Sequence, residues 1–434
     1  MLRRLVSVTR LPLYSRRLHP SCIHATFHET DQASCSTSHT GFHSPEERLV
    51  TRWTAKVSLL ICCFILLTGC WDSKEVQSIN FITAVGIDYV DNQYIAYAQL
   101  IDFSSIAKQE GPTSREASDI WIGRGKGSTL SMAIDDLYQT SQQQTLWTHV
   151  KAIVLSKNIL NGRLEDVFNT LLHSGQLRYT PWLYGTEQNI TDVLSPSALL
   201  NQSAQTIELF EPMKLYKQHS GYEPIRLHQL LDGFREPASV ILLPSITNQN
   251  ETWYNGDEAP PLIRMDGFYV ISNGKSQGRI TGKDADGTRY VNYDRVYQYP
   301  LYVYRNGGNT PDLTLRLNNP KTTIKARKEG NGVTFDLVTS VKSAIIEDHG
   351  SHRSPHIMEK NAEKQMESQI RDTFEKTKSR KIDSYGLVEH LYRHDLPLWK
   401  QEVYKRANPL ERFKLGKVEV HVKILNASTY KYDK

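Results

Sequence analysis

The chain has 434 residues, of which 39 % are hydrophobic and 23 % charged, and these values exclude a wholly disordered protein. Its 25 glycines and 18 prolines exclude a collagen-like chain, and the lack of any apolar run of 18 or more residues excludes a polytopic membrane protein. Most of the net charge of +5 arises in residues 1–69, which hold eight lysines and arginines against four acids, so the rest of the chain lacks the basic field that nucleic-acid binding requires.

Residues 49–69 have the form of a lipoprotein signal peptide. Two positive charges come first, the eleven residues 57–67 are almost wholly apolar, and Thr68-Gly69-Cys70 closes the segment. Eleven apolar residues are too few to span ~30 Å of hydrocarbon but match the hydrophobic region of a signal peptide. The closing residues resemble the lipobox of bacterial lipoproteins. That resemblance implies S-diacylglycerol and N-acyl groups on Cys70 and cleavage by signal peptidase II between Gly69 and Cys70. The alternative is a buried core helix that ends in cysteine.

Residues 1–48 precede this leader and are rich in serine, threonine, histidine and arginine without sustained periodicity. We expect an unstructured extension. One explanation is a transit peptide of mitochondrial type. The lipobox-like segment favours the other, a start assigned too far upstream, with translation beginning near residue 49 or 50.

All five cysteines lie at or before Cys70. The body therefore has no disulfide scaffold and no cysteine-based zinc site.

Residues 70–195 are predicted to form an N-terminal α+β domain. Strands are expected at 79–88 and 94–100, joined by a hairpin turn at Val90-Asp91-Asn92, followed by a loop over 110–128. Ser128 is the expected N-cap of the next helix. A buried strand at 150–155 and a helix that begins near residue 164 and ends at Gly175 complete the pattern.

Residues 196–261 are more polar and irregular and are predicted to form a middle domain or linker. Short helices are expected at 197–202 and 225–231. Residues 249–261, rich in asparagine, proline and acids, are interpreted as a linker.

Residues 262–434 are predicted to form a C-terminal α+β domain. Leu313, Leu315 and Leu317 alternate with polar residues, and the segment 418–424 alternates in the same way, which indicates half-buried strands. Gly330-Asn331-Gly332 predicts a hairpin turn. A helix that begins near Pro355 carries an apolar residue every fourth position and is expected to pack on one face of an antiparallel sheet.

No catalytic, metal or cofactor site emerges from these residues, and we predict that the protein is not an enzyme. Gly123–Ser128 is glycine-rich but lacks the spacing of a phosphate-binding loop, so a flexible loop before a capped helix is favoured. His149, Asp383, His390 and His394 do not have the spacing of a metal-ligand set.

Seven segments stand out in chain order: Gly69–Val76, Ile82–Asp88, Trp147–Leu155, Trp182–Thr186, Ile382–Gly386, Leu396–Lys400 and Val418–Ile424. Together they resemble the Ger(x)C family, the lipoprotein C-subunits of GerA-type spore germinant receptors. The resemblance covers residues 65–430.

This resemblance implies a three-domain α+β fold and a lipid-anchored, non-catalytic subunit at the extracytoplasmic face of the spore inner membrane. It implies two integral-membrane partner subunits, an A-type and a transporter-like B-type, in a receptor that responds to amino acids, sugars or nucleosides. The alternatives are a lipoprotein solute-binding component of an importer, which would have two similar α/β lobes, and a cell-envelope hydrolase, which would need an acid/base pair in a cleft.

Overall fold

A computed structural model describes residues 53, 56–59, 79–101, 120–173, 175–201, 204–293, 295–304, 308–349 and 354–426. The chain divides into two compact units, residues 1–73 and 74–434. Residues 53 and 56–59 of the first unit are helical. Within the described residues, no helix combines the length and the apolar composition that a membrane span needs.

The second unit contains a large mixed sheet whose central strands are parallel. Its ten strands are β1 Ile79–Val90, β2 Gln93–Ile101, β3 Ile120–Gly127, β4 Gln144–Leu146, β5 Ala152–Ser156, β6 Trp182–Thr186, β7 Ile225–Arg226, β8 Val240–Gln249, β9 Leu262–Ser272 and β10 Lys275–Thr281. The strand order is β10-β9-β8-β6-β5-β1-β2-β3, with β4 beside β1 and β7 beside β6. Strands β1, β5, β6 and β8 run parallel, and the outer pairs are antiparallel.

Helices cover both faces of this large sheet, as expected for parallel strands that are buried on both sides. They are α1 Leu130–Tyr138, α2 Lys157–Leu160, α3 Leu164–His173, α4 Ile190–Leu194, α5 Pro212–Gln218 and α6 Leu227–Phe234. One core joins α1, α2, α3 and α6 to the sheet, and a second core on the opposite face joins α4 and the residues Leu209 and Phe210 to it.

The hairpin predicted near residue 90 is confirmed. Strands β1 and β2 pair in register up to Val90 and Gln93. Asp91 and Asn92 between them have φ values of 50° and 61°. Two successive residues with positive φ form the tight turn that matches the twist of the flanking strands, and Asn and Asp tolerate this conformation best after glycine.

The glycine-rich end of the loop predicted over 110–128 is a strand, and residues 110–119 lie outside the described residues. Residues 120–127 form β3, and the N-cap of α1 is Thr129, whose side chain accepts a hydrogen bond from Met132 N, and not Ser128. A Cβ on Gly125 would overlap the carbonyl oxygen of Ala133, so glycine is what allows α1 to lie directly on the strand. The glycines therefore serve close backbone packing.

A smaller four-stranded sheet follows, in the order β11-β12-β13-β14. Its strands are β11 Tyr299–Tyr304, β12 Pro311–Glu329, β13 Gly332–Asp348 and β14 Phe413–Asn426. The helices of this region are α7 Asp286–Asn292, α8 Pro355–Ser379, α9 Leu387–His394 and α10 Leu396–Glu402. The turn predicted at residues 330–332 joins β12 to β13, with Gly330 at φ 58°.

The apolar stripe predicted on the long helix is confirmed, because its members Met358, Ala362, Met366, Ile370 and Phe374 are all buried in the core of the smaller sheet. The expectation of an antiparallel sheet is correct for β11, β12 and β13 but wrong for the last pair, since β13 and β14 are parallel. The three helices α8 to α10 between these strands form the crossover that a parallel connection requires.

The two sheets confirm an α+β protein with more than one domain. The segment 249–261, interpreted as a linker, joins the antiparallel neighbours β8 and β9. The middle region contains a 3₁₀ turn at Leu199–Asn201 and helix α6 at Leu227–Phe234. The boundaries at 195 and 261 stay predictions, and the large sheet continues across both of them.

Candidate functional site

The residues predicted for lipid attachment, Gly69 and Cys70, lie outside the described residues, as do residues 1–48 and most of the predicted signal peptide. Lipidation and cleavage at these positions therefore stay predictions. Eight residues separate Cys70 from Ile79, where β1 begins.

His149, Asp383, His390 and His394 make packing contacts or hydrogen bonds within the fold. His149 packs edge-on against Phe81, with ring centroids 4.5 Å apart. His390 and His394 stack at 4.3 Å, and burial lowers the pKa of His390. Asp383 is buried, which raises its pKa to about 6, and its carboxylate accepts hydrogen bonds from Leu387 N and Val388 N at the start of α9. Across the described ranges, no three His, Cys, Asp or Glu side chains are grouped as metal ligands.

A charged cluster lies where the central parallel strands end, and we call it the Arg279 cluster: Arg279, Lys157, Glu187, Ser245 and Asp266. Lys157 follows the last residue of β5, and Glu187 follows the last residue of β6. The Arg279 guanidinium donates from Nε to Ser245 Oγ (2.8 Å), from Nη1 to Glu187 Oε2 (2.9 Å) and from Nη2 to Asp266 Oδ2. Lys157 Nζ lies 2.9 Å from Glu187 Oε1. The carboxyl ends of parallel strands are where open α/β sheets bind ligands.

Neighbouring charges favour the ionised forms of Glu187 and Arg279. The hydrogen bond from Lys157, assisted by the charge of Arg279, lowers the pKa of Glu187. Burial by itself would lower the pKa of Arg279, but the hydrogen bond to Asp266 and the surrounding charges raise it above its ordinary value. Burial also raises the pKa of Tyr269, whose hydroxyl lies near the cluster. Groups fixed in this way are suited to binding and poorly suited to transferring protons near neutral pH.

Three buried oxygen atoms in and around the cluster lack a hydrogen-bond donor among the described residues. Asp266 Oδ1, Asn248 Oδ1 and Tyr269 Oη are buried and have no hydrogen-bond partner within the described part of the chain. The first two belong to residues that line a cavity of about 480 Å³, formed by Thr247, Asn248, Gln249, Asn250, Glu251, Arg264, Asp266, Arg279 and Thr281. A buried acceptor without a donor costs roughly 1–3 kcal/mol. The charged, amide and hydroxyl side chains that line this cavity favour a polar ligand.

Local sequence explains how the cluster is built. A Cβ on Gly185 would lie 2.6 Å from the Tyr269 ring and 2.8 Å from Leu160, so glycine in β6 leaves the space that Tyr269 occupies. Thr186 donates to Ile246 O at 2.9 Å and ties β6 to β8. The segment Trp182–Thr186 was singled out in the sequence, but Arg279 and Asp266 were not. The available signal was Glu187, a charge placed directly after a buried strand.

A second concave surface lies between α1 and α3, near the starting ends of the parallel strands. This groove has a volume of about 620 Å³ and is lined by Ser131, Ile134, Asp135, Tyr138, Trp147, Asn169, Thr170, Leu171, His173 and Gln176. Trp147 Nε1 donates to Tyr138 Oη at 2.6 Å, and Trp147 is itself buried. Burial raises the pKa of Tyr138. The groove has an aromatic floor and a rim of amide, carboxylate and imidazole groups.

A buried arginine links the two sheets. Arg289 in α7 pairs with Asp286, donates from Nε to Gly221 O (2.6 Å) and donates from Nη1 to Tyr299 Oη (2.8 Å). Its guanidinium also lies 4.6 Å from the centre of the Tyr222 ring. Tyr299 belongs to the smaller sheet, and residues 221–222 precede β7 of the larger sheet, so these contacts hold the two parts together.

Two family profiles match most of the chain. A family profile described as "Spore germination protein N-terminal domain" matches residues 72–248. A second profile, described as "Spore germination B3/ GerAC like, C-terminal", matches residues 266–426. The chain belongs to the Ger(x)C family. The Ger(x)C matches contain the Arg279 cluster, the groove and the buried arginine, and they give the chain a role in spore germination.

Two relatives from Bacillus subtilis (strain 168) align over most of their length. The "Putative spore germination protein YfkR" is 20 % identical over 351 residues, which cover 79 % of this chain and 88 % of the relative. "Spore germination protein B3" is 21 % identical over 364 residues, which cover 80 % and 91 %. The crystal structure of the GerBC protein aligns with 79 % of this chain and 97 % of that chain, at 17 % identity and a TM-score of 0.46.

Proposed function

We propose that this protein is the lipid-anchored C-subunit of a spore germinant receptor complex, with a binding and scaffolding role and no catalytic one. The observation that carries the proposal is the position of Cys70. It ends a lipobox-like segment and stands two residues before the first residue of the Ger(x)C match at 72. A secreted and lipid-modified chain of this family would start its mature form at that cysteine.

The proposed anchor explains how a chain with a nearly neutral body would be held at a membrane. A diacylglyceryl group on Cys70 Sγ would contribute ~0.8 kcal/mol for each CH₂ group buried, and two acyl chains give stable anchoring where one does not. The chain would lie at the extracytoplasmic face of the spore inner membrane. Its partners would be two integral-membrane subunits, an A-type and a transporter-like B-type.

The Arg279 cluster supports a binding role. Its arginine and lysine are paired with carboxylates, and Arg279 and Asp266 line a cavity of about 480 Å³ together with amide and hydroxyl side chains. A small polar molecule would exchange hydrogen bonds with this lining without changing any protonation state.

The fold disfavours the alternative of an importer's solute-binding component. Such a protein would have two similar α/β lobes around a hinge. Here one sheet has ten strands with a parallel centre, and the other has four strands of which three are antiparallel. Arg289 also joins the two sheets through its hydrogen bonds to Gly221 O and Tyr299 Oη.

The anchor is tested by growing cells with a labelled fatty acid and isolating the Cys70→Ala variant. We expect loss of the label and of signal-peptide cleavage. Cys62→Ala is the matched control, because Cys62 lies in the segment that cleavage removes, and this variant should be labelled and processed normally. Undiminished label on the Cys70→Ala chain would refute the assignment.

The receptor role is tested in spores that lack this chain. We expect a reduced response to one class of nutrient germinant with normal vegetative growth; a growth defect with normal germination would contradict the proposal. Complementation with Asp266→Asn then tests the cluster, with Asp257→Asn, an exposed position in the β8–β9 loop, as the control. Normal germination of Asp266→Asn spores at normal protein level would remove the binding role of the cluster and leave the receptor role intact.

A further inference from the structure

The direction of the strands places several chain segments at one end of the large sheet. Strands β1, β5 and β6 are parallel, and β3 is parallel to β1 because two antiparallel steps separate them. The starting residues of these four strands, Ile79, Ile120, Ala152 and Trp182, therefore share one end of the sheet. We call it the starting end.

The starting end is where the chain departs toward Cys70. Only eight residues lie between Cys70 and Ile79. Even a fully extended chain of this length reaches roughly 30 Å. The twelve residues of β1 by themselves measure about 40 Å, so the opposite end of this strand is farther from Ile79 than the tether can reach.

Exposed aromatic side chains stand at the starting end. Trp121 in β3 is 69 % exposed, Tyr179 just before β6 is 55 % exposed, and Tyr138 at the end of α1 is 39 % exposed. Strands β3 and β6 each lie two strands from β1. At about 4.8 Å per strand, Trp121 and Tyr179 flank the departure point of the tether by about 10 Å on either side.

These aromatic residues have fixed backbones. Trp121 is paired opposite Leu100 in the sheet. The carbonyl oxygen of Tyr179 accepts a hydrogen bond from His228 N at 3.1 Å. Rings of this type, apolar in the body and polar at one edge, concentrate at the boundary between hydrocarbon and water.

The charges at this end are compatible with a phospholipid surface. Lys151 and Arg178 are exposed next to β5 and β6, and Lys151 Nζ donates to Gln205 Oε1. The acids nearby include Asp135 in the groove and Glu236, which pairs with Arg393 at 2.6 Å.

We propose that the starting end of the large sheet faces the membrane and that Trp121, Tyr138 and Tyr179 enter the headgroup region of the bilayer. The inference rests on the proposed lipid anchor at Cys70. It goes beyond that anchor, because it gives the body a defined orientation: the Arg279 cluster, at the carboxyl ends of the strands, points away from the bilayer.

The opposite end supplies a matched control. Trp253 and Tyr254 in the β8–β9 loop are 58 % and 67 % exposed, so they resemble Trp121 and Tyr179 in type and exposure. They follow the carboxyl end of β8 and so lie away from the starting end. No cysteine occurs after Cys70, so a single introduced cysteine can be labelled without interference.

The experiment uses the mature, lipidated chain in vesicles of phosphatidylethanolamine and phosphatidylglycerol. Trp121→Cys and Tyr179→Cys, and the controls Trp253→Cys and Tyr254→Cys, each carry a thiol-linked fluorophore, and lipids with a quencher near the headgroup are added. We expect at least three-fold stronger quenching at 121 and 179 than at 253 and 254. Equal quenching at all four positions, or stronger quenching at 253 and 254, would overturn the orientation.

Two outcomes separate this inference from the anchor. A chain whose mass spectrum shows an unmodified Cys70, and which does not sediment with vesicles, overturns both proposals. A lipidated, vesicle-bound chain without quenching at 121 and 179 overturns the orientation only. In that case, protection of these two labels on adding the integral-membrane subunits would assign the aromatic residues to a protein partner.

Discussion

Replacing Glu208 by glutamine is expected to raise the free energy of unfolding above that of the wild type near pH 8. Near pH 4 the two proteins should have the same free energy of unfolding. The Glu208 carboxylate accepts a hydrogen bond from Met265 N and lies near Arg264. Burial outweighs both contacts and raises the pKa of Glu208 from 4.5 to about 7. The folded protein therefore binds this proton more tightly than the unfolded chain does.

The sign and size of the effect follow from this difference. Below pH 4.5 the residue is protonated in both states, so the stabilising contribution is fully present. As the pH rises from 4.5 to 7 the unfolded chain releases the proton first, and the contribution is lost. At about 1.4 kcal/mol per pH unit, the loss amounts to about 3 kcal/mol above pH 7. Glutamine does not titrate and keeps an oxygen that can accept from Met265 N, so the variant avoids this loss.

The measurement is urea-induced unfolding, followed by circular dichroism, at each pH from 4 to 9. The difference in unfolding free energy between Glu208→Gln and the wild type should increase through pH 4.5–7 and then stay constant. Glu375→Gln, at an exposed position of α8, makes the same chemical change without burial and is the matched control. A Glu208→Gln difference that is constant or that decreases with pH would refute the reasoning.

Three further substitutions test packing and the buried ion pair, all by urea-induced unfolding at pH 7. Gly185→Ala should lower the unfolding free energy by about 1–3 kcal/mol, because the added Cβ would crowd the Tyr269 ring; an unchanged value would mean that the ring moves freely. Met366→Ala should cost about 2–5 kcal/mol through the cavity left under α8, and a smaller cost would indicate that the helix collapses onto the sheet. Arg289→Met should cost about 3–5 kcal/mol because Asp286 would stay buried without its cationic partner and keep only the hydrogen bonds from Tyr299 and Gln369; a neutral effect would contradict the assigned link between the sheets.

Structural features that depend only on nearby residues are predictable from the sequence. The β1–β2 hairpin follows from turn residues between two apolar runs, and the stripe on α8 follows from its four-residue spacing. The predicted strand faces at 313–317 and 418–422 are buried as expected. These features depend on neighbours within about ten residues, where the periods of helix and strand leave a direct trace.

Patterns that depend on distant partners were missed or misinterpreted. The glycines of β3 suggested a loop, since nothing local indicates that α1 would pack against them. The parallel pairing of β14 with β13 depends on the crossover through α8 to α10, and alternation is the same in parallel and antiparallel half-buried strands.

By itself the sequence determined the α+β class, the hairpins, the long amphipathic helix, the resemblance to the Ger(x)C family and the prediction of a lipidated Cys70. Each of these depends on local patterns or short motifs of neighbouring residues. Only the tertiary structure decided which charges meet. Lys157, Glu187, Ser245, Asp266 and Arg279 come from five separate stretches of chain and touch because β5, β6, β8, β9 and β10 are aligned in one sheet. Strand order and register arise from packing across the whole core, and no local pattern of side chains encodes them.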